Sequence, residues 1–159
     1  MIRQSKMHGE NPLTRRVAAC ELCEQPGGHP VWQDGACRVV RVDEPDYPGF
    51  CRVVWQEHVT EMSDLTTGEQ RHLGSVVNAV ESALRTLVRP DKINLASLGN
   101  LVPHLHWHVI PRWRDDRHFP RPIWAEPLRE SSPPRPPVSD AALHEAVVQV
   151  LAEVQAGAA

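Results

Sequence analysis

An α+β domain with a largely antiparallel sheet is the fold class this chain of 159 residues predicts, and three observations predict it. Two short strand-like runs joined by a turn come first. A single long amphipathic stretch follows, and further strand-like runs come after it. One of these, His104-Leu105-His106-Trp107-His108-Val109-Ile110, alternates with the period of a strand, so its three imidazoles share one face about 7 Å apart while Leu105, Trp107 and Val109 share the other. An imidazole titrates near neutral pH, binds metals through a neutral nitrogen and acts as a nucleophile. Such a row suits phosphoryl transfer or metal binding, and spacing alone does not choose between them.

The elements follow in order. Residues 1–15 are polar and patternless and read as a frayed end. Residues 36–42 read as a strand, Asp43-Glu44-Pro45-Asp46-Tyr47-Pro48-Gly49 as a turn, and residues 50–57 as the second strand of a hairpin. Between 65 and 88, Leu73, Val76, Val77, Val80, Leu84, Leu87 and Val88 recur at steps of three and four, which predicts an amphipathic helix. Thr66, three residues before Glu69, supplies a capping box at its start, and Pro90 ends it. Residues 93–98 read as a strand, Gly99-Asn100 as a turn or bulge, and 104–110 as the central strand. Ser132-Pro133-Pro134-Arg135-Pro136-Pro137 is a stiff extended linker, and 140–154 a final helix with Leu143, Val147, Val150, Leu151 and Val154 on one stripe. The expected organisation is thus an N-terminal segment 1–15, a catalytic domain 16–126, a linker 127–137 and a C-terminal helix 138–159.

Composition narrows the function. A formal net charge of −3 argues against a nucleic acid polymer as partner, because non-specific phosphate binding needs a basic excess. No apolar run approaches the length of a membrane span, and Arg3-Gln4-Ser5-Lys6 near the start leaves no apolar leader, so the expected setting is cytoplasmic with no membrane association. In that setting Cys20, Cys23, Cys37 and Cys51 are metal ligands, core residues or free thiols rather than a disulfide framework. Cys37 and Cys51 sit in apolar strand-like runs and read as core. Cys20 and Cys23, two residues apart, are by themselves ambiguous between a redox pair, half a zinc site and coincidence.

The histidine run resembles the signature of the histidine triad family of nucleotide hydrolases and transferases, His-x-His-x-His followed by two apolar residues. The following Pro111-Arg112 is similar to the extension of its dinucleoside polyphosphate hydrolase branch, and Gly99-Asn100-Leu101-Val102-Pro103-His104 to the approach that precedes the triad in the family. The resemblance implies a HIT-like fold, a homodimer, no organic cofactor, and cleavage at the α-phosphate of a nucleotide through a covalent nucleotidyl-histidine. Its implied substrates are dinucleoside polyphosphates such as diadenosine tetraphosphate, or nucleoside phosphoramidates. On this resemblance His106 is the nucleophile, His108 faces a non-bridging oxygen or the leaving group, His104 supports them, and Asn100 with Gly99 stands at the leaving oxygen. Asn94 resembles a phosphate- or ribose-contacting asparagine, and Asp43 is the nearest match to a ribose-binding residue. Some relatives complete a zinc site with two histidines, which implies a structural zinc on Cys20, Cys23, His58 and His104; in zinc-free members His58 hydrogen-bonds His104 instead.

Two rival readings stand beside this one. A nucleotide-binding regulatory module with little turnover is compatible with Leu101 and the short Asn100. A catalytic metal held by the three histidines themselves lacks the carboxylate such sites normally use. Among the residues after the triad, Trp113, Phe119 and Trp124 read chiefly as packing groups, and Asp115 and Asp116 make the arginine-rich stretch read as a solvated loop.

Overall fold

The computed structural model describes residues 16–157 and arranges five strands in one antiparallel sheet. The elements are α1 (Glu21–Glu24), β1 (His29–Gln33), β2 (Cys37–Arg41), β3 (Cys51–Trp55), α2 (Thr67–Val88), β4 (Lys92–Ala96), β5 (His106–Arg112) and α3 (Asp140–Gly157), with one 3₁₀ turn at Met62–Asp64. The spatial order is β1-β2-β3-β5-β4, so the histidine strand lies between β3 and β4 and is paired on both sides.

The period of two decides what each face does. Val53 and Trp55 of β3 and Val109 of β5 point toward α2 and join Leu73, Val76, Val80 and Leu84 in the core, where Cys37 and Cys51 are also fully buried. Arg52, His106 and His108 alternate with these residues and occupy the other face. The helix follows its sequence signals closely. Thr66 accepts from the Glu69 amide at 3.4 Å while the Glu69 carboxylate accepts from the Thr66 amide at 2.7 Å, and Arg89 closes the helix in the left-handed region ahead of Pro90.

The expected strand at 104–110 is displaced: it begins at His106 and runs to Arg112. His104 sits in the preceding turn, its amide donating to the Val102 carbonyl at 2.8 Å, so the histidine row is two strand residues plus one turn residue. Two elements had no expectation. Strand β1 carries Pro30 and lies at the sheet edge, where the missing donor is tolerated, and α1 is a single turn too short to show a helical period. Helix α3 packs on its own domain, burying Leu143 and Val147 completely in the core shared with α2. The polar segment expected at 1–15 falls outside the described residues.

Candidate active site on the histidine face

His106 is oriented by the turn before it. Its Nδ1–H donates to the His104 carbonyl at 2.5 Å, which assigns the tautomer and leaves the Nε2 lone pair free. The peptide oxygen of His106 is itself held by the Ser97 hydroxyl at 2.9 Å, tying β5 to the end of β4. Burial, which disfavours the imidazolium, holds His106 below the ordinary histidine range and takes His108 down to about 4, with charge from His106 and Arg52 acting in the same direction on His108. Both rings are therefore neutral at physiological pH. His108 is packed between the edges of His106, Phe50 and Trp124, with ring centroids at 4.8, 5.8 and 5.0 Å, and its Nδ1 is buried without a partner among the described residues.

These two histidines floor a cleft of about 450 Å³. Glu21, Leu22 and Arg52 form one wall, the 98–102 loop the other, and Trp124 closes an end. Gly99 adopts φ +75°, the left-handed conformation that turns the loop back over the cleft, and so places Asn100 on the wall. Leu101, on the same wall, is 97 % exposed.

The predicted residues divide at this point. His106, His108, Gly99 and Asn100 come together at the cleft. Asn94 lies on the same sheet face beside Ile110 but in an adjoining groove that shares Leu98 and Trp124 with the cleft, and its side-chain carbonyl accepts from Arg112 Nη1 at 2.6 Å. Asp43 is not brought in; its carboxylate is 84 % exposed, 3.7 Å from Arg41, outside the cleft lining. Arg52, Glu21 and Ser97 had no place in the sequence reading, and Trp124, read chiefly as a packing group, lines the cleft against His108. Arg52 was legible in principle, since the alternation of β3 puts it on the face opposite Cys51 and Val53.

Arg112 and Asp116 correct the reading of a solvated loop. Asp116 is wholly buried and Arg112 is 1 % exposed, with Arg112 Nε donating to the carboxylate at 2.7 Å. The same carboxylate accepts from the amides of Trp113, His118 and Phe119. Burial pushes its pKa up, and the guanidinium and three amides together outweigh burial and hold it below the ordinary carboxylate value.

On the opposite side of the 104–106 turn, Cys20, Cys23, His58 and His104 converge, their four ligand atoms all within 4.8 Å of one another. His104 Nε2 donates to the Trp55 carbonyl at 2.7 Å, which aims its Nδ1 at the sulfurs of Cys20 and Cys23, both at 3.5 Å; His58 Nδ1 lies 3.4 Å from Cys23. Tetrahedral zinc with ordinary Zn–S and Zn–N bonds separates sulfur from nitrogen by about 3.6 Å, so the spacing and donor chemistry fit that ion. A second group, Asp34, Cys37 and His72, lacks that character: burial drives the Cys37 thiol far up and keeps it protonated, and the Asp34 carboxylate is spent on the amides of Ala36 and Cys37 and on His72.

Comparison with known proteins agrees with this geometry. The HIT domain profile matches residues 25–115, more than half of the chain. The chain belongs to the HIT domain family. Among its HIT relatives, the AP-4-A phosphorylase of Mycobacterium tuberculosis is 33 % identical over 81 residues, 47 % of this chain and 42 % of the phosphorylase. The asymmetrical bis(5'-nucleosyl)-tetraphosphatase of Schizosaccharomyces pombe is 31 % identical over 78 residues, 46 % of this chain and 43 % of that enzyme. These matches thus cover less than half the length of either curated relative. A crystal structure of a histidine triad protein from Sinorhizobium meliloti superposes with a TM-score of 0.62 at 26 % identity, covering 92 % of this HIT chain and 98 % of the other.

Proposed function

We propose that this HIT protein cleaves nucleotides at the α-phosphate, on dinucleoside polyphosphates or nucleoside phosphoramidates, through a covalent nucleotidyl-His106. The observation that carries the reading is the Nε2 of His106, a neutral nitrogen with its lone pair free and its ring fixed by the His104 carbonyl, on the floor of a cleft. In the first step the Nε2 lone pair forms the N–P bond as the bond from phosphorus to the leaving group breaks, its electron pair departing with that group. The proton stays on Nδ1, donated to the His104 carbonyl, whose oxygen stabilises the positive charge developing on the ring. In the second step water attacks phosphorus and gives up a proton to solvent, the N–P bond breaks and its electron pair returns to Nε2. His108 lies 4.8 Å from His106, centroid to centroid, placed to contact a phosphate oxygen, and Asn100 reaches the leaving side from the loop.

The Cys20, Cys23, His58 and His104 set holds a structural zinc in this reading, with every position filled by protein. The ion supplies rigidity, fixing the turn whose His104 carbonyl orients the nucleophile. A homodimer fits the open β4 edge, where Leu95 and Leu98 are 40 % and 51 % exposed; light scattering at micromolar concentration tests it, and a monomer mass refutes it.

The decisive experiment is incubation with diadenosine tetraphosphate, a mildly basic quench and intact-mass spectrometry. Wild type is expected to carry a nucleotidyl adduct that His106→Ala lacks; an adduct of the same yield on His106→Ala overturns the mechanism.

A further inference from the structure

Arg52 stands in the cleft as a cation that the reaction described above does not use. Residue for residue it is the β3 partner of His108, so the two side chains leave the sheet from directly opposed positions on the same face, with Cβ atoms about 5 Å apart. One guanidinium donor, Nη1, goes to the Gly27 carbonyl at 3.0 Å. The Nε is buried without a partner among the described residues, and no carboxylate among them lies within ion-pairing distance of the group. The terminal Nη2 makes no hydrogen bond among the described residues, so a donor of the guanidinium fork remains for a ligand in the cleft.

The surroundings identify the ligand's chemistry. Arg52 is the one lysine or arginine in the cleft lining and Glu21 its one carboxylate. A guanidinium presents its donors as a planar fork that matches two oxygens of a phosphate. The buried Nδ1 of His108, also unpartnered, lies on the paired position of the next strand. A guanidinium with an open terminal donor, facing a histidine from the opposed position of one cleft, is the feature a bound anion would complete.

We infer that Arg52 is a substrate-binding residue that grips the phosphate oxygens of the nucleotide, making the cleft select for the phosphate rather than for the nucleoside. The inference rests on the nucleotide reading proposed above, and it assigns the recognition of phosphate charge to Arg52.

Binding measurements separate this inference from the hydrolytic mechanism, because they need no turnover. The affinities of AMP and adenosine for wild type, Arg52→Leu and Arg52→Lys are to be compared by calorimetry on the full chain. Loss of one charge-assisted contact is expected to weaken AMP about 10- to 100-fold in Arg52→Leu, with adenosine essentially unchanged. Arg52→Lys, which keeps the charge but not the fork, is expected to recover part of the loss; should the leucine variant fail to fold, this variant carries the test through the AMP-to-adenosine ratio. Equal AMP affinity in wild type and variants overturns the inference, as does a parallel loss of AMP and adenosine, which marks Arg52 as a brace for the Gly27 turn or a reader of the base. Absence of AMP binding to wild type overturns this inference and the nucleotide reading together, whereas AMP binding without any His106 adduct overturns only the covalent mechanism.

Discussion

The two ends of strand β5 present polar side chains on the same face of the same sheet, yet their hydrogen bonding is opposite. At the C-terminal end every nitrogen of the Arg112 guanidinium has a partner. Its donors reach Asp116, Asn94 and the Arg121 carbonyl, and its guanidinium lies 5.6 and 5.8 Å from the ring centroids of Tyr47 and Phe119. At the N-terminal end His108 Nδ1 and its cross-strand neighbour Arg52 Nε are buried without partners, and His106 keeps Nε2 free. Burial with every group satisfied makes a rigid anchor, because removing one partner strands the other. At the N-terminal end the side chains that line the cleft keep groups that the proposed nucleotide would engage. The anchor lies four residues from His108, the distance over which β5 must be held if the nucleophile is to keep its aim.

The largest effect is expected at His106, the proposed nucleophile. His106→Ala is expected to lower kcat on the order of 10⁴-fold or more while leaving the melting temperature close to wild type, measured by steady-state kinetics beside thermal unfolding. At the anchor the effects invert. Asp116→Ala leaves the Arg112 charge buried and unpaired and is expected to cost about 3–5 kcal/mol of stability, read from denaturant midpoints. A stable Asp116→Ala variant with full activity would mean that the anchor is not one.

Removing metal tests the turn between the two. Exhaustive chelation, or Cys23→Ser, is expected to lower stability by about 3–4 kcal/mol and to reduce turnover through the His104 carbonyl, with about one zinc per chain in the untreated protein by elemental analysis. Unchanged stability together with no bound zinc would leave the four residues as a hydrogen-bonded cluster.

Acidification distinguishes the ends by pH. The Asp116 carboxylate has a folded pKa below its ordinary 3.8, so its contribution to stability is complete above that value and is lost only as the pH falls through the lower folded one. His108 acts in the same direction over a higher window: its folded pKa of about 4 lies below the ordinary 6.5, so the unfolded chain takes the proton first and stability declines as the pH falls from 6.5 toward 4. Activity that needs neutral His108 is expected to persist below pH 6.5 and fail near 4, as a profile of kcat/KM checks. The smallest change is expected at Asp43. With its carboxylate 84 % exposed outside the cleft, Asp43→Asn should alter stability by no more than about 0.5 kcal/mol and KM by less than twofold.

Helix α2, the hairpin strands and the alternation that puts His106 and His108 on one face were legible because each depends on residues a few positions apart: the capping box of Thr66 and Glu69, the three- and four-residue apolar steps, the period of two. The same locality made His106 and His108 conspicuous as chemistry. The start of β5 was not legible, because alternation continues through His104 while a turn hydrogen bond to Val102 decides otherwise. Nor was the difference between Asp115, exposed, and Asp116, buried against Arg112, since neighbouring acids look alike until the chain folds back over one of them. Tertiary structure alone brought Cys20 within 3.5 Å of His104 across 84 positions, seated Trp124 on His108, and set Arg52 opposite it. Local patterns are written by backbone geometry, which acts over one turn or one pleat; which distant groups meet, and which are left unpaired when buried, is decided only when the sheet closes its register.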